Sequence, residues 1–192
     1  MALDAMSEVS DEALLVLYAN GDADAARSLT LRLAPRIFAH AQRVLRDRAE
    51  AEDVTQEAML RLWKIAPKWR QGEAKVTTWL YRVTANLCTD RLRKVRPQGL
   101  DTAPDVPDGS ATAVEGMIDQ ARAEALERAL AALPERQRQA VVLRHIEGLG
   151  NSEISEIMDI SVEAVESLTA RGKRALAADL GRHRAELGFY DG

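Results

Sequence analysis

Residues 96–116, RPQGLDTAPDVPDGSATAVEG, constrain the fold more than any other stretch. They hold three prolines, three glycines and four acids, and almost no large apolar side chain. Such a segment cannot bury enough surface to offset the entropy of ordering it, so it reads as a linker. A chain of 192 residues is thereby divided into two parts, each needing its own core. The expected domains are 8–96 and 117–183, joined by an acidic Pro/Gly linker at 97–116. On both sides apolar residues recur at helical spacing, Ala and Leu abound, and β-branched runs are short. The expected fold class is therefore all-α, two helical domains on a flexible connection.

In the first part the spacing predicts helices over 11–19 and 22–45, with Pro35 as a kink or a restart in the second. AEAEDVTQEAMLRLWKI (49–65) is amphipathic, with Val54, Ala58, Leu62 and Ile65 in one stripe. Its acidic start and basic end suit the helix dipole. Residues 66–76 contain Pro67 and Gly72 and read as a loop. TTWLYRVTANLCTDRLRKVR (77–96) follows. Wound at about 100° per residue, it gathers Trp79, Arg82, Asn86, Thr89, Asp90 and Arg93 on one side. Leu80, Tyr81, Thr84, Leu87 and Cys88 crowd the other. One face is suited to packing. The other offers an aromatic, an amide and cations, the groups that meet bases and phosphates.

A net charge of −4 argues against a nucleic-acid partner until its distribution is read. Residues 61–96 carry ten Lys and Arg against only Glu73 and Asp90. Residues 97–120 carry five acids and no base. The basic block contains the two-faced helix, and is either an electrostatic footprint for nucleic acid or a solvated face.

The second part reads as four helices: 117–132, one opened by Pro134 and ending at Gly148, then 151–159 and 161–180. Asn151 and Ser161 are expected N-caps. A short helix, a tight turn and a longer helix match helix-turn-helix spacing, although a plain helical hairpin shares the pattern. Ile154, Ile157, Met158, Ile160, Val162 and Val165 supply its small core. Gly172 within the last helix is unusual, since glycine costs about 1 kcal/mol there relative to alanine.

Catalysis and metal binding find no support. His40, His145 and His183 lie far apart, and HExxH, GxSxG and a phosphate-cradling glycine loop are all missing. The reading is a non-enzyme with no catalytic residues, cofactor, metal or small-molecule substrate. A single cysteine, Cys88, excludes an internal disulfide and suits a reducing cytoplasm. On the packing face it is either a small buried hydrophobe or a redox sensor. No apolar run reaches the roughly 18–20 residues of a membrane span, so membrane insertion is not expected.

AEAEDVTQEAMLRLW (49–63), TTWLYRVTANLCTDRLRK (77–94) and ALPERQRQAVVLRHIEGLGNSEISEIMDISVEAVESLTARGKRAL (132–176) resemble a bacterial extracytoplasmic-function (group IV) sigma factor of the sigma-70 family. The resemblance spans essentially residues 10–180. It implies a region 2 helical bundle and a region 4 helix-turn-helix that bind core RNA polymerase, recognise promoter DNA and help open it. On that resemblance Gln56 and Glu57 match the polymerase contact, and Asp53, one turn earlier, is counted with it. Trp79, Arg82, Asn86, Arg91, Arg93 and Lys94 match the surface for the minus-ten element. The loop bearing Trp69, Arg70 and Lys75 matches the segment that selects a flipped base. Asn151, Ser152, Ser161, Glu166, Ser167, Arg171, Lys173 and Arg174 fall where the minus-thirty-five element would dock. The linker corresponds to the connector that threads toward the polymerase active centre. Glu166 departs from the family pattern, which has a cation there. The resemblance also implies an anti-sigma factor and a cytoplasmic location.

Overall fold

The computed structural model describes residues 8–70, 72, 74–95 and 113–182, with the side chains of Val95 and of 113–119 left aside. Linker residues 97–112 and His183 lie outside the described residues. Regular structure among the described residues is entirely helical. Two compact units meet in sequence near residue 101.

The first unit contains α1 (Asp11–Ala19), α2 (Ala23–Leu45), α3 (Arg48–Ile65) and α4 (Val76–Val95), with a 3-10 turn at Ala66–Lys68. Short polar side chains start three of these helices, as orphan N–H groups require. Ser10 accepts from the Ala13 N–H (3.2 Å), Asp22 from Asp24 (2.9 Å) and Asp47 from Glu50 (3.0 Å). The fourth is capped from outside its own segment: Glu12 on α1 accepts from the Val76 N–H at 3.0 Å. Pro35 neither ends nor restarts α2, which is one helix from Ala23 to Leu45. Its missing N–H falls on an exposed turn, where water can serve the carbonyl left without a partner. Arg46, in the left-handed region at φ 59°, closes α2 by donating to the Gln42 carbonyl (2.8 Å).

α2 lies against α1, α3 and α4, and α3 against α4. Leu14, Leu15, Leu29, Ile37, Val54, Leu62, Leu80 and Tyr81 are fully buried in this unit. Cys88 is buried with them, where the apolar face of its helix places it. Thr84, also buried, satisfies its hydroxyl on the Leu80 carbonyl at 2.8 Å.

The second unit contains α5 (Ala113–Ala132), α6 (Glu135–Val141) with a π turn over Val142–Ile146, α7 (Asn151–Met158) and α8 (Val162–Arg182). α5 starts four residues before the expected 117, because Ala113, Val114 and Glu115 continue the helix and a single Gly116 is not enough to stop it. Pro134 is the N-cap of α6 rather than its first helical residue. Gly150, not Asn151, caps α7, and its N–H donates to the Glu153 carboxylate at 3.0 Å. Asn151 is then the first helical residue, and its side chain is released for another use. Ser161 caps α8 as expected, accepting from the Ala164 N–H at 3.2 Å.

Leu130, Leu133, Val141 and Val142 form the core under α8, with Leu176 packed on them. Ile154, Ile157 and Val165 are buried at the α7–α8 corner, while Met158, Ile160 and Val162 are half-buried. Gly172 is explained by packing. A Cβ there would stand 2.5 Å from Val141 Cγ2 and 3.4 Å from the Gln137 carbonyl oxygen. Only glycine lets α6 and α8 approach this closely. None of the helices formed by described residues is long and apolar enough to cross a membrane.

Candidate nucleic-acid interface

α4 buries Leu80, Tyr81, Thr84, Ala85, Leu87 and Cys88 against its own unit. That fixes the opposite face outward. Arg82, Asn86, Asp90, Arg93 and Lys94 lie on the outward side, and all five are exposed. Trp79 is half-exposed at the start of it. Trp79 does not stand alone. The Trp69 ring meets it edge-to-face, with centroids 6.1 Å apart and planes at 88°. This geometry aligns a positive ring edge with a negative face. It braces one flank of Trp79 and leaves the rest of the ring able to stack. The indole N–H of Trp69 is buried with no hydrogen-bond partner among the described residues. Arg70 and Lys75, on the same loop, are exposed.

Arg91 behaves differently from the other cations. On the helical projection it lies about 120° from Trp79. It is drawn to α3, where it forms a short ion pair with Glu50 and reaches Asp53 at 3.9 Å and Glu57 at 3.8 Å. The hydrogen bond to Glu50, reinforced by the nearby Asp53 and Glu57 charges, raises its pKa further and keeps it a cation. Arg91 thus ties α4 to the acidic face of α3, away from the row led by Trp79. Glu57 also takes Arg61 at 2.5 Å.

The other side of α3 borders a shallow groove of about 510 Å³ shared with α2. Leu31, Ala34, Pro35 and Phe38 make its apolar floor, and Gln56, Arg48 and Glu52 its polar rim. Leu31 is 60% exposed. The spacing of apolar residues along α2 does not single out this strip, because it is continuous with the buried stripe and only the packing shows which part is left uncovered. Asp53 is exposed on α3, and Gln56 and Glu57 are accessible beside it.

In the second unit Val165 and Gly172 mark the inward side of α8. Ser161, Glu166, Ser167, Arg171, Lys173 and Arg174 are all exposed. Arg171 folds back on the preceding turn, donating to the Ser167 hydroxyl (3.1 Å) and carbonyl (3.3 Å). Hydrogen bonds from its own backbone N–H and from Ser161 hold the Glu163 carboxyl below its ordinary range, which keeps the start of α8 anionic. Ser152 is exposed at the start of α7. Asn151 Nδ2 donates to Glu166 Oε1 at 3.4 Å, joining the two helices at their outer corner.

Comparison with known proteins supplies the context for these surfaces. The family model for Sigma-70 region 2 matches residues 29–97, and that for Sigma-70, region 4 matches 123–176. The ECF RNA polymerase sigma factor SigM of Mycobacterium tuberculosis is 34% identical over 91% of this chain and 86% of its own length. SigW of Bacillus subtilis is 29% identical over 83% of this chain and 91% of its own. Among solved structures, the sigma factor RpoE in complex with the anti-sigma factor NepR from Bartonella quintana aligns with a TM-score of 0.68 at 18% identity. The alignment covers 81% of this chain and 96% of that one. CnrH, solved in complex with the cytosolic domain of CnrY, aligns at 0.65 and 22%, over 90% and 97%. At such identities the structures establish the fold.

Proposed function

The chain belongs to the extracytoplasmic-function sigma factors of the sigma-70 family, and from that premise we propose how its surfaces divide the work. It is a promoter-specificity subunit: it binds core RNA polymerase, recognises the minus-ten and minus-thirty-five elements, and promotes DNA opening. It is not an enzyme, because recognition and strand separation here use binding energy alone. Residues 8–96 act as region 2, 117–183 as region 4, and 97–116 as the connector. The two-domain plan supports placement in group IV and a cytoplasmic site of action as parts of this reading.

The carrying observation is the outward row Trp79, Arg82, Asn86, Arg93 and Lys94 on a helix whose other face is locked into a core. Unpairing a base costs a few kcal/mol. Stacking on an aromatic returns roughly 1–3 kcal/mol, and the Trp69–Trp79 pair offers a braced ring for it. Arg70 and Lys75 line the approach for the extruded base, and Arg93 and Lys94 receive phosphates. Asp53, Gln56 and Glu57 meet the polymerase. Beside Gln56, an apolar groove with a polar rim has the composition of a specific protein contact. Asn151, Ser152, Ser161, Glu166, Ser167, Arg171, Lys173 and Arg174 face the upstream element. Two solved structures of like fold are complexes, one with the anti-sigma factor NepR and one with the cytosolic domain of CnrY. An anti-sigma partner is proposed for this chain on that likeness.

The test is run-off transcription with bacterial core polymerase on promoter fragments, with and without the protein. Protein-dependent, sequence-selective transcripts are expected. Arg93→Glu with Lys94→Glu should abolish them while core binding in the same mixture is retained. Undiminished transcripts from the double variant would remove these two residues from the DNA surface. In the opposite sense, Gln56→Ala with Glu57→Ala should weaken core binding, measured by competition for core. Equal affinity would clear that side of α3 of the role.

A further inference from the structure

An anion sits in the second turn of the helix that meets duplex DNA. On the helical projection, at about 100° per residue, Glu163, Ser167, Ala170 and Arg174 point directly away from the buried Val165 and Gly172. Glu166 lies on the flank nearest α7, and Arg171 on the opposite flank. The Glu166 carboxylate forms no ion pair with a described side chain. It is met instead by the Asn151 amide, at 3.4 Å, the long end of a hydrogen bond. That bond engages Oε1 alone and leaves Oε2 without a hydrogen bond to a described residue.

A carboxylate carried into the major groove is repelled by phosphates on both sides. It is tolerated only where it meets a donor. Of the groups displayed in the groove, only cytosine N4 and adenine N6 donate; guanine and thymine present acceptors. Adenine N7, beside N6, is an acceptor that opposes the second carboxylate oxygen. Cytosine has only a C–H beside N4. Resting on the promoter-binding role of α8, we propose that Glu166 is a specificity-determining residue that selects cytosine at one position of the upstream element. It accepts from N4 through the free oxygen, while Asn151 holds the carboxylate in place.

The experiment uses the reconstituted holoenzyme, core polymerase with the full chain, and a promoter library randomised through the upstream element. Transcripts are sequenced to give a preference at each position. The wild-type protein should show one position where cytosine exceeds each other base by about tenfold, within the discrimination of a good base contact. Glu166→Ala should flatten that position and no other. Glu166→Gln should move the preference there toward adenine, which an amide pairs through N6 and N7. Asn151→Ala should weaken the preference severalfold at the same position. A wild-type matrix with no cytosine position overturns the proposal. So does a matrix unchanged by Glu166→Ala, or a gain spread evenly over all sequences, which would make Glu166 only a phosphate repellent. If no library member is transcribed although core is bound, the promoter-binding reading itself fails, a result separate from any of these.

Discussion

The two helices proposed to face DNA are held in different ways. α4 sinks eight of its described residues into a core built by α1, α2 and α3, and is capped from α1 by Glu12. α8 has only Val165 and Gly172 fully buried, with Leu176 packed on the cluster below. The difference matches the work proposed for each helix. Pulling a base out of a duplex costs a few kcal/mol, and the stacking surface must stay in place while that force acts. Docking into an intact groove needs only the correct orientation. The first unit is therefore a braced platform, and the second relies on one close helix crossing.

The strongest way to break this comparison is acid. His40 of α2 is fully buried against the Tyr81 ring of α4, 5.3 Å away and edge-on. Neither ring nitrogen has a hydrogen-bond partner among the described residues. Burial, and then the nearby Arg43, lowers its pKa to about 4. In the unfolded chain it titrates near the ordinary histidine value of 6.5. Between these values only the unfolded form takes up the proton. Stability is thus complete above pH 6.5 and is lost as pH falls toward 4, by roughly 3 kcal/mol in all. No buried ionisable side chain occurs among the described residues of the second unit. Trp63, Trp69 and Trp79, the three tryptophans, all lie in the first. Urea melts at pH 7 and pH 5 should therefore show the fluorescence midpoint falling well ahead of the circular-dichroism component of the second unit. His40→Leu should remove that pH dependence. Equal shifts in both signals would show that the platform is no more acid-sensitive than the other unit.

Gly172→Ala tests the crossing in the second unit. Helix propensity alone would gain about 1 kcal/mol. The new methyl, however, would meet Val141 Cγ2 at 2.5 Å, on a buried and stiff β-branched side chain. Overpacking of that kind costs about 1–3 kcal/mol, so a net destabilisation of about 1 kcal/mol is expected. It should appear in circular dichroism and leave the tryptophan transition unmoved. Val141→Ala in the same chain should recover part of it. A stabilised Gly172→Ala protein would mean that the helices can separate without cost.

Much of this is legible in the sequence. Apolar residues recurring at helical spacing locate the helices, and the projection of 77–96 separates its packing side from the row Trp79, Arg82, Asn86 and Arg93. What is not legible depends on partners distant in the chain. Glu12 caps a helix 64 residues away, and no local pattern encodes that. Trp69 joins Trp79 only through the path of the loop between them. Gly172 reads as a defect in a helix because the reason for it sits on α6. Asn151 reads as a cap, yet the preceding glycine takes that position and leaves the amide for Glu166. In each case local chemistry names a capable residue, and tertiary packing chooses what it does.

Arg91 is the smallest effect and the sharpest comparison, because it shares a helix with Arg93 and differs in what holds it. Its side chain is 26% exposed and set among three partly exposed acids of α3. Solvent screening keeps such pairs near 1 kcal/mol or less. Arg91→Ala should cost the first unit about that much, and added salt should shrink the cost as the exposed acids are screened. Arg93→Ala should leave stability nearly unchanged. Promoter binding by the holoenzyme should reverse the order. Taking one cation away from a phosphate reduces the salt slope by about 1. Arg93→Ala should therefore flatten log K against log salt, and Arg91→Ala should not. An equal change in slope from both variants would mean that Arg91 leaves Glu50 for phosphate when DNA binds. The acids of α3 would then be a resting place for a DNA-binding cation rather than a brace for the platform.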